Sequence, residues 1–173
     1  MKYMTVVACG LLLMSNAGCG QADAEAIKVE LSNPQGVKVG NATLTKDAGG
    51  VKIVVQVSQL PPGPHGFHIH AVGKCKPLDF ASAGGHFNPQ GKKHGAQNPE
   101  GPHAGDLPNL TVGEDGTAQM ETVAARVTLD SNAANSLFQP DGTSLVIHAN
   151  PDDQKTDPAG NAGARIACGV IGK

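Results

Sequence analysis

Apolar residues along the chain come in short runs divided by turn-forming residues, and no internal repeat is visible. Ile27 to Leu31 ends at Asn33-Pro34-Gln35-Gly36, and Val37 to Thr45 ends at Lys46-Asp47-Ala48-Gly49-Gly50. Val51, Ile53, Val55 and Val57 then alternate with Lys52, Gln56 and Ser58, which predicts a strand with one wet face and one core face. Pro61-Pro62-Gly63-Pro64 stops that run, and Gly66 to His70 is the next strand. Residues 73–108 have almost no apolar period. Strands resume at Leu110 to Val112, turn at Glu114-Asp115-Gly116, and continue with one or two in Thr117 to Leu129. Leu145 to His148 and Ala164 to Val170 close the set. Eight or so short strands and no strong helix predict an all-β fold, an antiparallel sandwich or barrel.

A structureless loop of about 35 residues is unusual inside a compact domain. Something other than hydrophobic burial must hold residues 73–108, and a metal or a disulfide would do so. Composition agrees with a strand-and-turn architecture: 23 glycines and 12 prolines make about a fifth of the 173 residues, and aromatics are only 3%. The length suits one domain, assigned to 27–173. A net charge of -2 with no long basic run argues against nucleic acid as a partner.

The first nineteen residues read as an export signal. Lys2 supplies the charge, and Thr5 to Met14 form an apolar stretch too short to span a bilayer. Ser15-Asn16-Ala17 and Ala22-Asp23-Ala24 have the small-x-small form of a signal-peptidase site. Ala17-Gly18-Cys19 instead resembles the end of a bacterial lipobox, although Asn16 stands where an aliphatic residue is usual. In that reading Cys19 carries a lipid that attaches the chain to a membrane, and 20–26 are a short tether. The expected location is extracytoplasmic, as an envelope lipoprotein or otherwise secreted or periplasmic. Cys9 falls inside the signal, so Cys75 and Cys168 remain in the folded part. Two cysteines in an exported chain imply one disulfide; two buried free thiols are the alternative.

Histidine carries the chemical information, since six of the seven lie between His65 and His103. On a strand, His68 and His70 share one face while Phe67 and Ile69 enter the core. Their spacing of roughly 6–7 Å lets two imidazoles converge on one ion. His148 ends the run Leu145-Val146-Ile147 and could join them from a neighbouring strand. His86, His94, His103 and Asp106 follow one another in the long loop. Three imidazoles and a carboxylate form the set that suits a closed, four-coordinate zinc site, whose task would be to order the loop.

Gly66-Phe67-His68-Ile69-His70, Gly85-His86-Phe87-Asn88-Pro89, His94-Gly95, His103-Ala104-Gly105-Asp106-Leu107 and Gly160-Asn161-Ala162-Gly163-Ala164-Arg165-Ile166-Ala167-Cys168-Gly169-Val170-Ile171 resemble the copper,zinc superoxide dismutases from about Ile27 onward. The resemblance implies an eight-stranded Greek-key β-barrel with two long active-site loops. It implies copper on His68, His70, His86 and His148, and zinc on His86, His94, His103 and Asp106, with His86 bridging the two. Asp152 would hydrogen-bond a ligand of each metal, Cys75 and Cys168 would form the family disulfide, and His65 would be structural rather than a ligand. Arg165 would guide the small anionic substrate, superoxide, to copper, where two anions become dioxygen and hydrogen peroxide; Lys155 is a weaker candidate for the same pull. Compared with the animal enzymes, His148 to Arg165 is shorter, Ala159 replaces a channel-rim threonine, and Cys75 to His86 is longer. Bacterial and animal members pair through different barrel surfaces, and the resemblance selects neither. The rival reading is an envelope protein that binds or delivers copper or zinc without dismutase activity; a separate Met-x-Cys-x-x-Cys module, usual in copper-delivery relatives, is absent.

Overall fold

The computed structural model describes Met1 and residues 26–172. The export segment and all of the tether but Ala26 therefore lie outside the described residues, as does Cys19. The strands are β1 (Ile27–Ser32), β2 (Lys38–Asp47), β3 (Gly50–Val57), β4 (Gly63–His65), β5 (Phe67–His70), β6 (Leu110–Val112), β7 (Ala118–Ala124), β8 (Thr143–His148) and β9 (Arg165–Ile171). Seven pair in the order β5-β8-β9-β1-β2-β3-β7, and β4 pairs with β6. Every ladder between these strands is antiparallel.

Only Gly66 separates β4 from β5, and its backbone stays paired: Gly66 N–H donates to Asn150 O at 2.8 Å and Gly66 O accepts from His148 N–H at 2.8 Å. The two short strands thus act as one barrel strand bent at Gly66, which gives the eight expected from the sequence. The stretch Thr117 to Leu129 yields one strand. Val127 and Leu129 are buried, but Thr128 makes only an isolated bridge with Ser136. The connections from β3 to β4 and from β7 to β8 cross the barrel ends, so the pairs β3–β7 and β5–β8 join strands that are not consecutive in the chain, as in a Greek key.

The alternation in β3 is realised: Val51, Ile53, Val55 and Val57 are buried. They join Phe67, Ile69, Leu145 and Ile147 in one core. Strands β5 and β8 are buried throughout. Such strands need cover on the face turned away from the core, and the two long loops supply it.

Strand β5 would be a free edge of the seven-stranded sheet, with unpaired backbone groups. The 73–108 loop folds back onto it. Ile69 N–H donates to Gly105 O at 2.9 Å, and Phe87 N–H donates to Ile69 O at 2.8 Å. These bonds bring His86 opposite His70 and Asp106 opposite His68. A Cβ on Gly105 would collide with the Ile69 carbonyl, so only glycine permits this approach. The far part of the loop holds a 3-10 turn, Ala81–Ala83, and is tied to β9 by the Cys75–Cys168 disulfide. Phe80, Ala83 and Val146 pack with Cys168 in a second small cluster.

The disulfide joins residues 93 apart. Replacing both cysteines by alanine should lower the free energy of unfolding by about 4–5 kcal/mol in the chain-entropy model. Equilibrium denaturant unfolding of the metal-free protein checks it, and an unchanged midpoint would refute it.

Candidate metal centre

The seven side chains singled out by the sequence meet in one place. His68 and His70 come from β5, His148 from the end of β8, and His86, His94, His103 and Asp106 from the covering loop. His68, His70, His86 and His148 form one set whose donor atoms lie within 4.8 Å of one another, and His86, His94, His103 and Asp106 form a second. His86 belongs to both. The six histidines are buried.

Neighbours fix which nitrogen each ring turns inward. His68 Nε2 donates to Asp152 Oδ2 at 2.8 Å, which leaves the Nδ1 lone pair facing the first set. His70 Nδ1 donates to Gly84 O at 2.9 Å and His148 Nδ1 to Gly163 O at 3.1 Å, leaving their Nε2 atoms 3.3 Å apart. On the other side, His94 Nε2 donates to Asp152 Oδ1 at 2.9 Å and so turns Nδ1 toward Asp106. Asp106 Oδ1 lies 2.8 Å from His86 Nδ1, 3.1 Å from His94 Nδ1 and 3.2 Å from His103 Nδ1. Ligands of a tetrahedral ion at about 2.0–2.1 Å stand roughly 3.3 Å from one another. The second set is therefore nearly at coordination spacing.

Two buried ring nitrogens, His68 Nδ1 and His86 Nε2, have no hydrogen-bond partner among the described residues. Burying such an atom unpaired costs about 1–3 kcal/mol. Both belong to the four-imidazole set, and a cation there would satisfy both at once. His86 differs from the other rings because each of its nitrogens faces one of the two sets. These observations fit the residues to two adjacent metal ions sharing one imidazole.

Electrostatics separates the halves. Burial holds His68 down at about 3 and His148 at about 4, and lowers His70 and His86 as well, so this half offers neutral nitrogen donors at neutral pH. For His94 burial acts downward too, but hydrogen bonds with Asp106 and Asp152 outweigh it and raise the ring to about 9. Although burial opposes it, hydrogen bonds from histidines hold Asp106 and Asp152 far below the usual carboxylate range. Two ionised carboxylates in a dry site require compensating positive charge. This half is made for a cation with a protein-filled coordination shell.

An open cavity of about 460 Å³ lies beside the first set. Gly84 and Gly163, whose carbonyls orient His70 and His148, line it together with Asp79 and Arg165. Arg165 donates from Nη1 to Phe80 O and from Nη2 to Gly84 O, each at 2.6 Å. Burial lowers its pKa, against the opposing pull of Asp79, yet a guanidinium stays charged in proteins. Lys155 is exposed and does not line this cavity. His65 stands apart from both sets, with Nδ1 2.8 Å from His148 O and Nε2 2.8 Å from Pro61 O, in agreement with a structural role.

Sequence reasoning missed the groups that orient Asp152. Asn109 Oδ1 accepts from Asp152 N–H and Asn109 Nδ2 donates to Asp152 O, both at 2.9 Å. Gly160, at φ 60, packs so close to the Asp152 carboxylate that a Cβ would overlap it. Asp157 accepts from His94 N–H at 2.8 Å. Loop residues of this kind carry no periodic signal.

A profile of the copper/zinc superoxide dismutase (SODC) family matches residues 38–171. The chain is 51% identical over 172 residues to "Superoxide dismutase [Cu-Zn] 2" of Aquifex aeolicus, covering 99% of both. It resembles the crystal structure of a SOD-like protein from Bacillus subtilis with a TM-score of 0.81 and 43% identity, over 83% of this chain and 97% of that one. The Cu/Zn superoxide dismutase of Brucella abortus aligns with a TM-score of 0.69 and 32% identity, over 86% of this chain and all of that one. With its barrel, its two ligand sets and its shared imidazole, this chain belongs to the copper/zinc superoxide dismutase family.

Proposed function

We propose that the chain converts two superoxide anions and two protons into dioxygen and hydrogen peroxide. The observation that carries this reading is the His86 ring, shared by two candidate ligand sets, with its buried Nε2 unpaired among the described residues. Copper would be held by His68 Nδ1 and by Nε2 of His70, His86 and His148, and zinc by Nδ1 of His86, His94 and His103 with Asp106. When bound, copper supplies one-electron exchange with superoxide in both directions, and zinc is structural.

The protein's own groups supply the rest. His86 Nε2 is the atom that can hold a proton beside the substrate and release it to a forming peroxide, while Asp106 and the zinc-side groups keep the ring in place through Nδ1. Asp152 holds His68 and His94 through its two oxygens, and so locks one ligand of each metal. Arg165 draws a small anion into the cavity and presents donors next to the copper-side histidines. Its bonds to Phe80 O and Gly84 O hold the guanidinium in place, so little ordering remains when the anion arrives.

Export also belongs to this reading, and the disulfide supports it because such bonds persist in oxidising compartments. Lipid attachment at Cys19 is read from its lipobox-like context. A mature mass that begins at Cys19 with diacylglycerol added would establish it, and a mass beginning at Gly18 or Glu25 would refute it.

Purified protein should take up one copper and one zinc per chain and accelerate superoxide decay; chelation should abolish the activity and copper should restore it. Uptake of both metals without dismutation would leave a storage or delivery protein instead. His148→Ala should lose copper and activity while retaining zinc, as read by metal content after dialysis. Arg165→Ala should keep both metals and lose about ten-fold or more in kcat/KM, with a weaker dependence on ionic strength. Full activity in that variant would remove Arg165 from the reaction.

A further inference from the structure

Gln154 makes more contacts around Asp152 than a loop glutamine needs for solubility. Its backbone N–H donates to Asp152 Oδ1 at 2.6 Å, and its side-chain Nε2 donates to Asp152 Oδ2 at 2.6 Å. The same Nε2 lies 3.4 Å from Leu107 O. Both neighbours are acceptors, so the amide must turn its NH2 toward them. The Gln154 carbonyl accepts from Gln97 N–H at 2.9 Å. One residue thereby joins the 148–165 loop to the zinc-side loop and also grips the carboxylate between the metal sets.

The backbone conformation points the same way. Gln154 has φ 58, in the left-handed region where glycine is the easy choice. A side chain kept there at a conformational cost implies that the side chain does something. What it does is readable from the carboxylate. Each Asp152 oxygen receives two donors: His94 Nε2 and Gln154 N on Oδ1, and His68 Nε2 and Gln154 Nε2 on Oδ2. Without the side-chain amide, Oδ2 would keep only the His68 donor, and one of the four bonds that set the plane of the carboxylate would be lost.

Resting on the proposed copper and zinc sites, we infer that Gln154 is a positioning residue that sets the Asp152 carboxylate between them. It acts in two directions. By fixing the plane of the carboxylate it holds His94 in register for zinc. By sharing Oδ2 with His68 it draws electron density from that oxygen, which weakens the pull of Asp152 on the His68 Nε2 proton. The His68 ring is then a less basic ligand.

Two variants test this. Gln154→Met keeps the length and removes the donor; Gln154→Gly removes the side chain and suits the left-handed backbone. Both should release zinc to a competing chelator roughly 10- to 100-fold faster than the parent. Both should lower the reduction potential of bound copper, because a more basic His68 favours the oxidised ion. Neither readout uses dismutase activity, so failure of the proposed reaction would show up separately in the parent protein. Thermal unfolding of the metal-free variants verifies folding, and the glycine variant should melt no lower than the methionine one. Parental zinc release and copper potential in both variants would overturn the inference. So would a parental glycine variant beside a defective methionine one, since backbone strain rather than the amide bond would then explain the loss.

Discussion

The strongest constraint on this molecule is electrostatic. Six imidazoles and two carboxylates are packed against one face of a barrel, largely out of water, with nitrogen and oxygen atoms about 3 Å apart. Within the protein alone this is a poor arrangement. Two ring nitrogens have no partner among the described residues, and Asp106 and Asp152 are ionised where charge is costly. A pair of cations converts the same atoms from mutually competing groups into ligands. Much of the molecule outside the barrel core exists to hold that arrangement.

Half of the centre stands on strands and half on a loop. His68, His70 and His148 sit on strands β5 and β8, whose inner faces bear Phe67, Ile69 and Leu145 in the core. His86, His94, His103 and Asp106 sit on a loop that reaches the core through Phe87, Ala104 and Leu107, the neighbours of His86, His103 and Asp106. That loop is fastened to the barrel by backbone bonds along β5, by the disulfide to β9, and by Asp152 reaching across from the other loop. The bonds along β5 and the reach of Asp152 lie beside proposed ligands. Order in the loop and occupancy of the zinc-side set are therefore coupled: whichever stabilises one stabilises the other.

How much of this the sequence disclosed depends on the kind of signal. The period of two in Val51 to Val57 and in Phe67 to His70 gave both the core face and the direction of two histidines, because strand geometry leaves no other choice. Strand β4 escaped notice since Pro61-Pro62-Gly63-Pro64 reads as a break. Proline lacks the N–H for a ladder, yet at a short edge pairing such as β4 with β6 it is tolerated. Val127 and Leu129 alternate like a strand but are buried by chain crossings. The candidate ligand residues stood out because histidine is a scarce residue type and their order and spacing are distinctive. Apart from Asp152, their supports did not, since Gly84 O and Gly163 O are backbone atoms that any residue type would supply.

The same distinction separates what makes the centre from what tunes it. Donor identity fixes which ions can bind, and that is written in side chains. Ring orientation, by contrast, rests on two backbone carbonyls and one carboxylate, so it depends on the loops following one path. Gly84 shows the economy of this design. Its carbonyl accepts from His70 Nδ1 and from Arg165 Nη2, and the residue also lines the cavity. A shift of that peptide would therefore turn a proposed copper ligand and move the anion-attracting guanidinium together. Bonding both to a segment stapled to β9 by Cys75 and Cys168 keeps substrate attraction and metal geometry from drifting apart.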